Sequence, residues 1–256
     1  MVGWVGDDPS QLRPHLFADA NFAGCELTQR STSGLHLVIR GPRTCFPIAG
    51  QSKRQTCVSH STPEAEIVAA DFALRLVGLP ALDLWHKILP HCPSLLFHED
   101  NQAMIVVVKS GRNPTMRFIG RTHGVSVAWL HERCLAPGLQ LVYELSARMA
   151  ADIYTKGFVD PQLWENVRSL INVFDPAILR DKKRMQQLID CSTTLRGGMM
   201  NWDLQKPLLL RACLASAVGL KTLRVAPSLS LRLPVSLGPL IKSTILKHGL
   251  FVPLLS

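Results

Sequence analysis

Apolar and polar residues alternate between residues 15 and 22, and this pattern predicts a strand. Phe17, Asp19 and Asn21 would point to one side of a sheet, and the small and apolar residues between them to the other. Two further runs, LHLVIRG and TCFPIAGQSK, predict a second and a third strand, joined by a tight Gly-Pro connection at residues 41–42. Three successive strands with short links indicate an antiparallel meander.

The stretch SHSTPEAEIVAADFALRLVGL, residues 59–79, predicts a long helix. Ser61 followed three residues later by Glu64 is the pattern of a capping box, and Pro63 lies in the first turn, where its missing N–H costs nothing. Glu64 shares a face with Asp71 and Arg75, which are spaced as an i,i+4 ion pair. We therefore expect that face, including Glu64, to be solvated.

The opposite face of this helix carries Glu66 among four small or apolar residues. These are Ala69, Ala70, Ala73 and Val77. Small side chains let a helix lie close to a sheet, so Glu66 would be directed into that contact. A carboxylate placed there needs a counter-charge, and a metal ion is the usual one. The helix macrodipole also favours a glutamate near a helix start, so this position alone leaves both interpretations open.

The remaining runs continue the alternation of helices and strands. LPALDLWHKILPHC predicts a helix, SLLFHE a strand, DNQAMIVVVKSG a helix opened by Asp100, GRTHGVSVAWLHERC a helix, LQLVYEL a strand, and residues 149–156 a last helix. The order of three strands, helix, strand, helices, strand and helix predicts an α/β domain.

Three further acidic residues lie where an apolar run meets a loop or a helix start. They are Asp19, Asp100 and Asp152. Together with Glu66 they place four carboxylates at the ends of predicted elements, where side chains from distant parts of the chain can meet.

Six sequence blocks occur along the chain in the order ADANFAG, RSTSG, SKRQTCVSHSTPEAEIVA, HEDNQAM, NPTMRFIGRTHGVSVAWLHE and ADIYTKGF. In these blocks the chain resembles the ribonuclease H domain at the end of the Pol polyprotein of copia-type LTR retrotransposons. The resemblance runs from about residue 16 to residue 158, more than half of the chain. It implies a ribonuclease H-like fold, with a mixed five-stranded sheet flanked by helices.

The same resemblance implies an activity and a set of site residues. The activity is endonucleolytic hydrolysis of the RNA strand of RNA/DNA hybrids during reverse transcription of a retrotransposon. Asp19, Glu66, Asp100 and Asp152 are the implied catalytic residues and ligands of two Mg²⁺ ions, for which Mn²⁺ can substitute. Such a pair, roughly 4 Å apart, activates water and stabilises charge in phosphodiester hydrolysis. Mg²⁺ prefers oxygen ligands, so neither His nor Cys is required.

Neighbouring residues offer alternatives at two of these positions. Glu64 competes with Glu66, but the Glu-apolar-x-Ala pattern of ribonucleases H fits Glu66. Beside Asp100, strand alternation sends Glu99 to the other side, so Glu99 is expected in solvent. His98 shares the side of Asp100 and is expected at most to line the site.

Basic residues suggest how a phosphate backbone would be held. The net charge is +9, but acidic and basic residues nearly balance up to residue 157, and the excess lies beyond. The candidate contacts are therefore local clusters that include Lys53, Arg54, Arg117 and Arg121. Such clusters are more often simply solvated surface, and only a neighbouring acidic metal site makes them interesting.

The chain departs from the family in two blocks. Residues 19–21 read Asp-Ala-Asn where the family usually has DAD, and residues 121–124 read RTHG in place of RTKH. The second change removes a lysine and introduces a glycine, which weakens the expected grip on substrate. Polymerase, integrase and protease motifs are absent, so we expect a piece of a Pol protein without the reverse transcriptase portion that normally accompanies it.

Composition sets the outer bounds. A hydrophobic content of 47% allows a sizeable core, and the seven cysteines show no zinc spacing. With no secretory signal and no run long enough for a membrane span, an intracellular protein of the cytoplasm or nucleus without a membrane partner is expected. We predict a lead-in at residues 1–13, a domain at 14–174, and a basic, Leu/Pro/Ser-rich, disordered or poorly packed extension at 175–256.

The sequence leaves three functional hypotheses. The first is a ribonuclease H-type enzyme. The second is a decayed or repurposed module that binds nucleic acid without cleaving it, and the third is a remnant that interacts only with proteins. The spacing of all four acids favours the first.

Overall fold

The computed structural model describes residues 1–89, 94–187 and 190. The strands are β1 Arg13–Asn21, β2 Thr32–Gly41, β3 Thr44–Arg54, β4 Leu95–Glu99 and β5 Leu139–Tyr143. The numbered α-helices are α1 Thr62–Ala73, α2 Leu79–Ile88, α3 Gln102–Ser110, α4 Ile119–Thr122, α5 Val127–Leu135, α6 Pro161–Leu170 and α7 Pro176–Leu179. Residues 3–173 form one compact unit, while α7 belongs to another. Most of the predicted extension lies outside the described residues, so the proposed domain boundaries remain predictions.

The strands form one mixed sheet in the order β3-β2-β1-β4-β5. The first three are antiparallel, as the short links predicted, whereas β4 runs parallel to β1 and β5 parallel to β4. Parallel neighbours need crossover connections, and α1 with α2, and then α3 to α5, provide them. The predicted ribonuclease H-like α/β fold, a mixed five-stranded sheet flanked by helices, is confirmed.

The two sides of β1 pack against different parts of the chain, as its alternation predicted. Leu16 and Ala18 join a buried cluster with residues of α1 and α3, whereas Phe17 packs with Met149 and Ile171 on the other side. The sheet is therefore covered on both sides, and Asp19 lies on the side of Phe17.

Strand pairing brings two of the predicted site residues to the same end of the sheet. Phe17 on β1 pairs with His98 on the parallel strand β4. Two residues further along both strands, Asp19 and Asp100 consequently lie side by side. On the other side of β1, Asp19 pairs with Gly34 of β2.

Several predicted helix boundaries were wrong. Asn101, not Asp100, caps α3, since its side chain accepts a hydrogen bond from the Met104 N–H. The helix predicted over residues 120–134 is interrupted at Gly124, whose φ of +71° is a left-handed conformation that suits glycine. The last predicted helix is a short 3₁₀ helix, Ala150–Tyr154, and the unpredicted α6 follows it.

No helix in the described part of the chain is both long and apolar enough to cross a membrane.

Candidate metal centre

Three of the four predicted acidic residues meet at the end of the sheet. Asp19 on β1, Glu66 on α1 and Asp100 after β4 each offer a carboxylate oxygen, and these oxygens all lie within 4.8 Å of one another. Asp19 and Glu66 are buried, and Asp100 is partly exposed. This is the arrangement in which oxygen ligands from different elements can share one hard cation.

Glu66 reaches this cluster because α1 lies very close to the sheet. Ala65 and Ala69 pack against Ala20 of β1, and all three are buried. The helix start is fixed by Ser61, whose hydroxyl accepts a hydrogen bond from the Glu64 N–H at 3.3 Å. Only 4% of Glu66 is exposed, and its Oε2 atom has no hydrogen-bond partner.

The electrostatics of Glu66 reflect this crowding of acids. Burial, together with the neighbouring charges of Glu99, Asp19 and Asp100, raises the pKa of Glu66 to about 10. In the absence of a cation the carboxyl group is therefore held in its neutral form at pH 7. A bound divalent cation would reverse that preference, since it stabilises the ionised carboxylate.

Asp152 lies beside Asp19 because the 3₁₀ helix Ala150–Tyr154 packs tightly on the sheet. A Cβ atom on Gly34 would come within 3.0 Å of the Ala151 carbonyl oxygen, so the missing side chain of Gly34 permits the approach. Gly34 is the β2 partner of Asp19, so the residues that follow this helix arrive directly over Asp19.

The carboxylate of Asp152 already has a cationic partner. The Lys156 Nζ atom lies 2.8 Å from its Oδ1 and 3.1 Å from Oδ1 of Asp19. Burial and the charge of Asp19 raise the pKa of Asp152 to about 7, although Lys156 opposes the shift. The Thr155 hydroxyl also donates a hydrogen bond to Asp19. The structure thus brings together Asp19, Glu66 and Asp100 as one group, and joins Asp152 to it through Lys156.

Sequence reasoning missed Thr155 and Lys156. A signal was present, since Lys156 follows Asp152 at the i,i+4 spacing of an ion pair and both residues belong to the ADIYTKGF block.

Glu64 points away from the cluster, but the prediction that it is solvated was wrong. Only 6% of Glu64 is exposed. Its carboxylate accepts a hydrogen bond from the His60 N–H at 3.0 Å and lies 3.4 Å from Nε2 of His123. The loop that carries His123 packs over the start of α1 and covers the helix face that carries Glu64. In an isolated amphipathic helix this face would be exposed.

Glu99 was also predicted in solvent, and this was wrong. Its side chain is fully buried, and its Oε1 accepts a hydrogen bond from the Asn101 N–H at 3.0 Å. Burial raises the pKa of Glu99 well above its ordinary value. Its charge also raises the pKa of Glu66, so Glu99 lies close to the acidic cluster on a side of β4 that is covered by protein rather than by water.

His98 is held by other residues. Its Nε2 atom lies 2.9 Å from Nδ1 of His15, and its Nδ1 lies 3.0 Å from a carboxylate oxygen of Glu144. The ring also stacks on Phe17. These contacts fix His98 on β4 beside its partner Phe17 on β1. Asp19 and Asp100 follow two residues later along the same two strands.

The four basic candidates are exposed and lie on two segments. Lys53 and Arg54 end β3, where they pair with Ser33 and Thr32 of β2, and these in turn pair with Ala20 and Asn21 of β1. They therefore lie at the Asp19 end of the sheet.

Arg117 and Arg121 lie on or next to α4. The Cys57 thiol donates a hydrogen bond to the Thr122 carbonyl oxygen at 2.8 Å, which ties this segment to the loop before α1. The segment is thus anchored near the helix that carries Glu66.

The residues present suit a divalent metal ion of the Mg²⁺ type. The donors are carboxylate oxygens from three separate elements, and one of the three residues, Glu66, has a buried oxygen, Oε2, without a partner. A cation would supply the partner that this oxygen lacks.

Comparison with known proteins gives only distant structural likenesses. No family model matches the chain, and no curated protein matches it. The chain is similar to the structure of LC11-RNase H1, isolated from compost by a metagenomic approach, at 16% identity and a TM-score of 0.37, over 56% of this chain and 92% of that one. It is also similar to the foamy viral protease-reverse transcriptase in complex with dsDNA, at 14% identity and a TM-score of 0.32, over 56% and 88% of the two chains.

Proposed function

We propose that this chain is a metal-dependent nuclease that cleaves the RNA strand of RNA/DNA hybrids, as a ribonuclease H-type part of a copia-type retrotransposon Pol protein. The observation that carries the proposal is the meeting of Asp19, Glu66 and Asp100 within 4.8 Å of one another. Side chains that are far apart in sequence, partly buried and of like charge are costly to bring together, and a functional site is the usual reason.

The chain's own residues divide the work of such a site. Asp19, Glu66 and Asp100 would hold a divalent ion, Mg²⁺ or Mn²⁺, and Asp152 would complete the acidic set. When bound, such ions supply charge stabilisation and an activated water for phosphodiester hydrolysis. Lys53, Arg54, Arg117 and Arg121 would bind the phosphates of the hybrid, because they are exposed and lie on segments next to the acidic end of the sheet.

A direct test is a cleavage assay on a hybrid with a labelled RNA strand. We expect the RNA strand to be cut with Mg²⁺ or Mn²⁺ and to remain intact with EDTA. An all-DNA duplex of the same sequence is the control, and it should not be cut under either condition. Cleavage that continues in EDTA would contradict the proposal, because the proposal assigns the activation of water to the bound divalent ion.

The second candidate is a module that binds nucleic acid without cleaving it. One observation favours it: the Lys156 ammonium already contacts the carboxylates of both Asp19 and Asp152 and offsets part of their negative charge. A chain that binds the hybrid but never cuts it with Mg²⁺ or Mn²⁺ would establish this alternative. A chain that neither binds nor cuts would leave only the fold.

Replacing Arg121 by alanine should weaken hybrid binding severalfold and make it less salt-dependent. If the guanidinium contacts one phosphate, the slope of log affinity against log salt should become shallower by about one. Binding is measured by fluorescence anisotropy in EDTA between 50 and 200 mM salt, a range typical for such titrations.

The matched control for this measurement is Arg13→Ala. Arg13 is also exposed but begins β1, at the end of that strand away from Asp19. Arg13→Ala should leave the slope of log affinity against log salt unchanged. Equal effects of the two substitutions would mean that Arg121 acts only through overall charge.

A further inference from the structure

The acidic residues of the site fall into two groups that share Asp19. In one group, Asp19 meets Glu66 and Asp100, and the buried Glu66 Oε2 has no hydrogen-bond partner. In the other group, Asp19 and Asp152 both contact the Nζ atom of Lys156. The Lys156 ammonium thus lies between the two acids of the second group.

Several features hold Lys156 in this position. Asp152 precedes it by four residues, and its backbone carbonyl accepts a hydrogen bond from the Lys156 N–H at 2.9 Å, so the chain folds back within one turn. The Thr155 hydroxyl bonds to the other carboxylate oxygen of Asp19, Oδ2, while Lys156 contacts Oδ1. Both oxygens of Asp19 are therefore engaged by consecutive residues of the same turn.

We propose that the Lys156 ammonium serves as a built-in cation between Asp19 and Asp152, so that the chain takes up one divalent ion readily and a second only by displacing Lys156. The inference rests on the proposed function, which assigns the first ion to Asp19, Glu66 and Asp100. It refines the two-ion expectation drawn from the sequence resemblance.

The physical reason is competition for the same oxygens. An ammonium is a compact point charge that hydrogen-bonds carboxylates, whereas Mg²⁺ requires oxygen atoms at roughly 2.0–2.1 Å and gives up its hydration water reluctantly. The ammonium and a divalent ion cannot both occupy the position between Oδ1 of Asp19 and Oδ1 of Asp152. About 38% of the Lys156 side chain is exposed, so it has a route into solvent when it is displaced.

The test is a metal-binding titration of the full chain after removal of divalent ions. Mn²⁺ is added, heat is recorded by calorimetry, and free Mn²⁺ is counted by electron paramagnetic resonance. We expect the unaltered chain to bind one ion, with a second site at least tenfold weaker. In Lys156→Met the second site should tighten at least tenfold, which makes the stoichiometry two.

Three further variants make this comparison specific. Lys109→Met removes the same charge from an exposed position on α3 and should leave the stoichiometry at one. Lys156→Arg retains a cation and should also bind one ion. Lys156→Gln is a second neutral variant, expected to bind two, and it is used if circular dichroism shows that the methionine variant does not fold.

Each contrary result overturns the inference in a recognisable way. Two ions of similar affinity in the unaltered chain would refute the role of Lys156 and leave the proposed function standing. Binding of only one ion by both Lys156→Met and Lys156→Gln would likewise refute the role of Lys156 and leave the proposed function standing. No Mn²⁺ binding by the unaltered chain or by the neutral variants would refute the metal chemistry of the proposed function as well.

Discussion

Replacing Asp100 by asparagine should reduce hybrid cleavage on the order of a thousand-fold or more, without weakening hybrid binding in EDTA. Asparagine keeps the shape of the side chain but removes one ionised ligand from the group in which Asp19, Glu66 and Asp100 meet. Loss of a group that stabilises charge in the transition state has effects of this size. Binding should stay equal or become slightly tighter, because one negative charge near the phosphates is lost.

The measurement pairs two assays on the same preparation. Cleavage of a labelled hybrid is followed with Mg²⁺, and binding is measured in EDTA. Asp83→Asn is the matched control, since Asp83 is an exposed acid on α2 and should leave both quantities unchanged. Cleavage by Asp100→Asn within tenfold of the unaltered chain would remove Asp100 from the catalytic set. Equal losses of cleavage and binding would indicate damage to the fold instead.

The parts of the site that sequence predicted best are those governed by strand geometry. Alternation along β1 placed Asp19 opposite Leu16 and Ala18, and the apolar run before Asp100 placed that residue at a strand end. Parallel pairing of β1 with β4 then brings Asp19 and Asp100 together, and the register of the two strands alone is enough to explain this. Glu66 was predicted from the small residues on its own face of α1, which do pack against the sheet.

The parts that sequence predicted poorly depend on what covers a face. Glu64 points away from the acidic cluster, whereas Glu99 lies close enough to Glu66 for its charge to raise the pKa of Glu66. Both residues were predicted to be solvated, and both are buried. Periodicity gives the direction of a side chain and says nothing about a distant segment that packs over it. Here the segment with His123 closes over Glu64, a contact between residues 59 positions apart in the sequence.

Lys156 shows a different limit. Its position was visible in the sequence, but its partners depend on how closely the 3₁₀ helix Ala150–Tyr154 approaches β2. That approach requires Gly34, since any side chain there would collide with Thr155 and Ala151. A glycine in a strand signals a close backbone contact, but it does not say which segment makes the contact.

Replacing Glu66 by glutamine should make the metal-free protein less sensitive to rising pH. The pKa of Glu66 in the folded chain is raised from 4.5 to about 10, so the folded state retains a proton that the unfolded state releases. Its contribution to stability is complete below pH 4.5 and is lost progressively as the pH rises toward 10. One such proton corresponds to a slope of at most about 1.4 kcal/mol per pH unit.

The clearest range for the measurement is pH 7 to 8.5. The pKa of Asp152 is raised only to about 7, so its contribution is largely lost by then. Burial lowers the pKa of His98, whose effect is confined to more acidic pH. Glu99, whose pKa is also raised well above its ordinary value, contributes to the fall in both chains. Between pH 7 and 8.5, urea unfolding in EDTA should therefore show a steeper fall in the free energy of unfolding for the unaltered chain than for Glu66→Gln. Equal slopes would mean that Glu66 is ionised in the metal-free fold, contrary to the crowding of acids around it.

The same variant, compared with Glu64→Gln, tests whether Glu66 or Glu64 is the metal ligand. An ion that binds only the folded chain stabilises it by about 2.7 kcal/mol at a concentration one hundred times its dissociation constant. Glu66→Gln should lose most of this gain on addition of Mg²⁺. Glu64→Gln should lower stability both with and without metal, because Glu64 contacts His60 and His123, and should keep the gain. If Glu64→Gln loses the gain and Glu66→Gln keeps it, the glutamate assigned to the metal is the wrong one.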